Sequence, residues 1–366
     1  MFKDIYKNKK VLITGNTGFK GSWLSIWLKR LGAEVIGVSS DIPTNPSNFV
    51  DLDIEKDSKH FFLDICNTDK LKKIINDNRP DFIFHLAAQA IVSTSYSEPL
   101  NTIRSNVLGT ASLMECLKEI DWDCVSVIIT SDKCYDNVEQ LEGYVESDTL
   151  GGKDIYSGSK GAAELVIKSY FHSFLEQKNN IKIGIGRAGN VIGGGDWAKD
   201  RIVVDCMKAW INNDSVQIRC PDATRPWQHV LEPLSGYLSL GHNLFQDNSL
   251  NGESFNFGPN FQAEKSVKVL IEDLASNWGF SNPKEAYNVI NKIPFHEASL
   301  LKLDCTKAKN LLLWSQNLNY EQTIKLISDW YLTYRDSKQT LKEKTYDQIK
   351  FYEENAREVS LSWAQS

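Results

Sequence analysis

Lys10-Val11-Leu12-Ile13-Thr14-Gly15-Asn16-Thr17-Gly18-Phe19-Lys20-Gly21 is the stretch that decides the fold. Its first five residues make a short apolar run of strand type, and Trp23, Leu24, Trp27, Leu28 and Leu31 then recur at helical spacing. Between strand and helix the glycines stand as GxxGxxG. Glycine allows a tight turn, close approach of backbone to a pyrophosphate and close helix–strand packing, while the helix start offers free N–H groups and positive potential. Out of context such a triplet is weak evidence, and an ordinary strand-to-helix turn explains it roughly one time in three. In this context it predicts a dinucleotide site at Gly15, Thr17, Gly18, Phe19, Lys20 and Gly21.

Outward from that unit, Val35-Ile36-Gly37-Val38, Phe82-Ile83-Phe84-His85-Leu86 and Val125-Ser126-Val127-Ile128-Ile129-Thr130 read as further strands, alternating with helical patterns at 68–77 and 105–119. Ile181 to Gly186 extends the series. Near-continuous apolar strands separated by helices indicate a parallel sheet covered on both faces. The fold class expected is α/β, a Rossmann-like doubly wound parallel sheet with a smaller C-terminal substrate lobe. We place the dinucleotide region at 1–190 and the substrate lobe mainly at 191–366, with the chain crossing between them. Beyond 190 the pattern is less regular, with Gly193-Gly194-Gly195 and the Asp222–Pro226 cluster, and helical periodicity returns at 266–278 and from 321 onward.

A length of 366 residues, 42% hydrophobic and 24% charged, is enough for a substantial core. The formal charge of -6 argues against a nucleic-acid partner but leaves room for a local basic pocket. Seven scattered cysteines with no CxxC pair form neither a zinc set nor a disulfide framework, so no metal is expected. No apolar run reaches the length of a membrane span and no signal-like segment opens the chain, which makes the cytoplasm the expected address.

At the end of the second strand, where dinucleotide folds carry an acidic residue for the ribose 2′-hydroxyl, the chain has Ser39-Ser40-Asp41. Ser39 takes the acidic place, and Asp41 reaches the ribose only if the strand end curls. With no arginine there for a 2′-phosphate, NAD is preferred to NADP. Asp64-Ile65 stands where such folds contact adenine, although a turn aspartate explains Asp64 equally well.

Tyr156-Ser157-Gly158-Ser159-Lys160 puts a phenol and an ammonium on one helix face. The lysine can hold a nicotinamide ribose and lower the phenol pKa, so that tyrosinate accepts a proton as hydride leaves the substrate. Ser131, at the end of the Val125–Thr130 strand, can hydrogen-bond the same hydroxyl. Strand order, glycine turn, serine and YxxxK are specific only in combination. His85 reads as structural or cleft-lining, and Trp197 and Trp227 as packing residues.

Thr14 to Trp23, His85-Leu86-Ala87-Ala88-Gln89, Thr130-Ser131-Asp132-Lys133-Cys134-Tyr135, Gly189-Asn190-Val191-Ile192-Gly193-Gly194-Gly195-Asp196-Trp197 and Asp222-Ala223-Thr224-Arg225-Pro226-Trp227-Gln228-His229-Val230 span most of the chain. In these motifs it resembles the extended short-chain dehydrogenase/reductases, and within them the CDP-glucose 4,6-dehydratases. The resemblance implies a redox-neutral dehydration with NAD recycled in each turnover. It implies that Tyr156 takes the sugar 4-hydroxyl proton, that Asp132 is the acid and that Lys133 is the base, where the thymidine branch has an Asp-Glu pair. A lysine abstracts a proton only when neutral, which calls for burial or positive neighbours such as Lys160. Asn190 and Arg225 look like the diphosphate and nucleotide contacts of this class, with His229 nearby. A homodimer paired through two long helices is implied as well. Rival readings are a 4,6-dehydratase of another NDP-hexose or activated heptose, a sugar epimerase, which needs no acid/base pair for elimination, and a non-catalytic NAD-binding regulator.

Overall fold

The computed structural model describes residues 1–259, 264–290 and 301–365. Its centre is a seven-stranded sheet made of β1 (Lys10–Thr14), β2 (Glu34–Ser39), β3 (Lys59–Phe62), β4 (Phe82–His85), β5 (Cys124–Ile129), β6 (Ile181–Arg187) and the strand Ser254–Asn256. From one edge the order is Ser254–Asn256, β6, β5, β4, β1, β2, β3, and every pairing is parallel. The chain builds from β1 toward β3, then returns to place β4 on the other side of β1. Ligands of open α/β sheets bind at such a reversal, outside the carboxyl ends of the strands. Here those ends are Thr14 and His85.

Strand side chains alternate between two cores, which is why the strands read as unbroken apolar runs. Val11, Ile13, Phe82, Phe84, Val125 and Val127 face one core, while Leu12, Ile83 and Ile128 face the other. The second core is covered by the helices Thr68–Asn78, Gly109–Glu119 and Ile155–Tyr170. Over the first lie α1 (Phe19–Arg30), the helix Leu231–Gln246 and the C-terminal helices Tyr320–Asp336 and Leu341–Glu358. Past residue 190 the chain therefore returns to the sheet, once as the helix Leu231–Gln246 against β5 and β6 and once as the strand Ser254–Asn256. Small two-stranded pairings, including Val191–Ile192 with Gln228–His229 and Thr224–Pro226 with Glu264–Ser266, shape the rim above the carboxyl ends.

Gly193-Gly194-Gly195 is packed tightly. A Cβ at Gly194 would lie 2.0 Å from the Trp330 ring, and the Gly194 carbonyl accepts from Trp23 Nε1 at 2.8 Å. Trp197 packs on Tyr331 and Tyr334, and Trp227 donates to the Lys265 carbonyl at 3.1 Å, so both are packing residues. All seven cysteines are free. Among the described residues no His/Cys/Asp/Glu group is arranged to hold a metal ion, and no helix is long and apolar enough to cross a membrane.

Glu232, fully buried at the start of the helix Leu231–Gln246, ties in the C-terminal region by accepting from the backbone N–H groups of Asn317 and Leu318 and from the Tyr352 hydroxyl. Burial outweighs these donors and pushes its carboxyl up to about 7. A carboxyl raised on folding binds its proton more firmly in the folded chain, so its contribution is greatest at low pH and falls as pH rises from about 4.3 through 7. Urea midpoints at pH 5 and pH 8 should show wild type losing stability relative to Glu232→Gln by an amount on the order of 3 kcal/mol. Parallel pH dependence in the two proteins would assign the carboxyl an unshifted pKa.

Candidate active site

The glycine turn has the geometry that its spacing predicts. Gly15 adopts φ 76°, and a Cβ there would lie 2.7 Å from the Ala87 backbone nitrogen, so the turns after β1 and β4 meet at this point. A Cβ at Gly21 would lie 2.1 Å from the Gly15 carbonyl oxygen, so α1 can pack on the turn only with glycine there. At Gly18 the nearest atom would be 3.4 Å away, which leaves that side clear for an approaching phosphate. No side chain caps α1, and its first N–H groups remain available to an anion.

The neighbours of the turn are committed to holding it. Ser39 Oγ donates to Asn16 Oδ1 at 2.9 Å and accepts from Thr17 N at 3.3 Å. Thr17 Oγ1 donates to the Asp41 carbonyl at 2.7 Å. The end of β2 thus curls back over the turn, which is the condition for Asp41 to lie beside a ribose, while Ser39 serves the loop. Asp64 accepts from Cys66 N at 2.9 Å and pairs with Arg104 at 2.7 Å. Ile65 is buried where a Cβ on Gly109 would come within 2.5 Å of it. Phe19 lies against Gly193. Lys20 is partly buried and 3.4 Å from the Tyr237 hydroxyl; burial, then the charge of Arg201, brings its pKa down to about 7.

Across the cleft, β5 ends at Ile129, Thr130 and Ser131 follow, and a tight turn carries Asp132, Lys133 and Cys134. Ser131 Oγ donates to Asp132 Oδ1 at 2.8 Å and accepts from Lys133 N at 3.2 Å. The helix Ile155–Tyr170 begins on an Asp154 cap that accepts from Ser157 N at 2.9 Å, a start that directs Tyr156 and Lys160 toward Ser131. Ser131 lies beside the Tyr156 phenol, and Lys160 Nζ lies 5.9 Å from the phenol ring centre. Ser131, Asp132, Tyr156 and Lys160 are all buried.

Burial drives the phenol up to about 12 and Lys160 down to about 8. In the chain alone, desolvation thus leaves the phenol raised and not lowered as expected. What opposes desolvation is the neighbouring Ser131 hydroxyl and the charge of Arg201. Arg201, paired with Asp196 at 2.5 Å, is a site residue that the sequence reading missed. The signal was there: it sits at the start of the helix Ile202–Ile211, an end where a cation is electrostatically disfavoured and so needs another reason to be.

Asp132 lies against Gly189, where a Cβ would be 2.0 Å from its Oδ2. Asn190 follows in the left-handed region at φ 54°. Asp132, Gly189 and Asn190 line one cavity with Pro226, Gly258 and Leu303, so the expected acid and an expected diphosphate contact share a space. Arg225, next to Pro226, is held in the Thr224–Pro226 strand, with Nη1 donating to the Thr224 carbonyl at 2.9 Å. His229 departs from expectation. It is fully buried, edge-on to Trp23, with Nδ1 accepting from Leu231 N at 3.3 Å, and it has no surface to offer a substrate. His85, lowered to about 3 by burial and by Lys160, is neutral and bridges Thr14 Oγ1 at 2.7 Å, a structural tie between β1 and β4.

Residues 12–327 match the family described as GDP-mannose 4,6 dehydratase. A CDP-glucose 4,6-dehydratase of Salmonella typhimurium is 42% identical over 333 residues, covering 90% of this chain and 92% of that protein. In shape the chain is similar to a dTDP-glucose 4,6-dehydratase from Bacillus anthracis in complex with NAD, with TM-score 0.74 and 19% identity over 91% of this chain and 99% of that one. It is also similar to a dTDP-glucose 4,6-dehydratase from Streptomyces venezuelae with NAD bound, with TM-score 0.76 and 19% identity over 92% and 99%. At those identities the two structures speak for the fold. The sequence match, however, runs from β1 into the helix Tyr320–Asp336 and takes in every element that builds the cleft, and the chain belongs to the GDP-mannose 4,6-dehydratase family.

Proposed function

We propose that this chain is an NAD-dependent nucleotide-sugar 4,6-dehydratase, a hydro-lyase, that converts CDP-glucose to CDP-4-keto-6-deoxyglucose. The observation that carries the reading is Asp132, hydrogen-bonded to the serine that lies beside the Tyr156 phenol and set in the cavity that Asn190 lines. An epimerase has no use for an acid beside its phenol. The cytidine sugar is favoured by the 42% identical Salmonella relative, which has the activity in its name.

Bound NAD supplies the hydride acceptor and donor of a single turnover. In this reading the cofactor-binding residues are Gly15, Thr17, Gly18, Phe19, Lys20, Gly21, Asp64, Ile65, Tyr156 and Lys160. Tyr156, assisted by Ser131, takes the proton of the sugar 4-hydroxyl. The resulting ketone acidifies the C5 hydrogen, Lys133 takes it, and Asp132 protonates the departing 6-hydroxyl. Asn190 and Arg225 hold the diphosphate end. Solvent-exposed Leu100, Ile103 and Leu108, beside exposed Leu165 and Phe174 on the adjoining helical segment, give a homodimer an apolar face. A cytoplasmic address accords with this chemistry.

Incubation with a panel of nucleotide sugars should show, by mass spectrometry, loss of one water from CDP-glucose without net accumulation of NADH. Stoichiometric NADH with a stable oxidised sugar would identify a simple dehydrogenase instead. Lys133→Ala should still permit C4 oxidation but stall before water leaves, so NADH absorbance persists on the protein; near-normal yield of the deoxy product would remove Lys133 from the reaction. Arg225→Ala should raise KM for the sugar nucleotide about tenfold or more while NAD affinity holds. An unchanged KM would place Arg225 outside the substrate site.

A further inference from the structure

Beneath the cleft lies a buried ion pair that the chemistry above does not use. Glu164 and Arg187 each keep only 3% of their side-chain surface exposed. Arg187 Nε donates to Glu164 Oε1 at 2.7 Å and its Nη2 donates to Oε2. Buried pairs of this kind add little net stability, because desolvating two charges offsets most of their attraction. What distinguishes this one is where its remaining bonds go.

Thr130 Oγ1 donates to Glu164 Oε1 at 2.5 Å. Arg187 Nη1 donates to the Tyr135 hydroxyl at 2.7 Å, its guanidinium carbon lies 4.9 Å from the Tyr135 ring centre, and Tyr135 donates onward to Asn256 Oδ1 at 2.7 Å. Thr130 and Tyr135 are the residues immediately before and after Ser131-Asp132-Lys133-Cys134. Both ends of that turn are therefore fastened to one ion pair. Glu164 itself stands one helical turn beyond Lys160 and two beyond Tyr156, on the same face of the same helix.

We propose that the Glu164–Arg187 pair is a clamp of positioning residues, which fixes the turn carrying Ser131, Asp132 and Lys133 in register with the helix face carrying Tyr156 and Lys160. This rests on the 4,6-dehydratase reading, which requires both groups to act on neighbouring carbons of one sugar. A displacement of about 1 Å between them is enough to cost on the order of 10²-fold in rate.

Thr130→Val and Tyr135→Phe each cut one end of the clamp and leave the ion pair intact. In the double variant kcat for CDP-glucose should fall about 10²-fold, and in each single variant about tenfold, while KM changes less than about threefold because the diphosphate contacts are untouched. The thermal midpoint should stay within a few degrees, and amide exchange across 131–135 should quicken. A kcat within about twofold of wild type, or a loss shared equally between kcat and KM, overturns the proposal. Should the double variant fail to fold, the single variants decide by the same criteria. Should wild type turn over no nucleotide sugar, the dehydratase reading falls, and exchange across 131–135 then decides the clamp alone: quickening sustains it and unchanged exchange overturns it.

Discussion

A carbonyl oxygen occupies the place where residue 21 would otherwise carry a Cβ, and much of the molecule follows from that approach. Because Gly15 O lies against Gly21, α1 can start directly over the end of β1, with its uncapped N–H groups aimed at the reversal between β1 and β4. The same seating drives Trp23 and Trp27 into the core above the sheet. Trp23 then reaches the Gly194 carbonyl, and the glycine run takes its path between α1 and Trp330. The glycine turn, the path of Gly193-Gly194-Gly195 and the seat of the C-terminal helices thus meet at one close contact.

Charge is arranged around this frame at a cost. Lys160 is depressed by burial to about 8 and Lys20 to about 7, each shift corresponding to several kcal/mol withheld from the ammonium form. Arg201 adds a third cation, partly balanced by Asp196. A cleft that holds its cations under such strain has its deficit met by an anion, and a dinucleotide and a nucleotide sugar each bring a diphosphate. The buried phenol, raised to about 12, stands to gain from positive charge brought close to it.

What the sequence made legible followed burial on two faces. β1, β4 and β5 are covered above and below and read as continuous apolar runs, whereas β3 is a half-exposed edge strand that shows only as a short apolar stretch before Asp64. Ser254–Asn256 joins the sheet with three residues, too few for a period to emerge. In the site, Ser131, Tyr156 and Lys160 come together because a strand end and a helix face fix their directions. His229 was misjudged because nearness to Arg225 in sequence says nothing about exposure, and the short pairing of Gln228–His229 with Val191–Ile192 turns it inward. The Glu164–Arg187 pair was hidden because its two members lie on different elements and share no motif, whereas Arg201 stands just outside the Gly189–Trp197 motif that holds its partner Asp196.

The indole of Trp27 donates to Glu353 Oε1 at 3.0 Å, and Arg30 pairs with the same carboxylate at 3.0 Å, across more than three hundred intervening residues. The outer side of the first helix is thus closed by the last one. On a ribosome, where chains lengthen by about 5–20 residues each second, the nucleotide-binding half is finished long before its cover is made. For that interval Trp27 has neither its buried acceptor nor its aromatic neighbours Tyr352 and Trp363. The nascent chain therefore carries Trp27 without these partners until residues 352–363 have been translated.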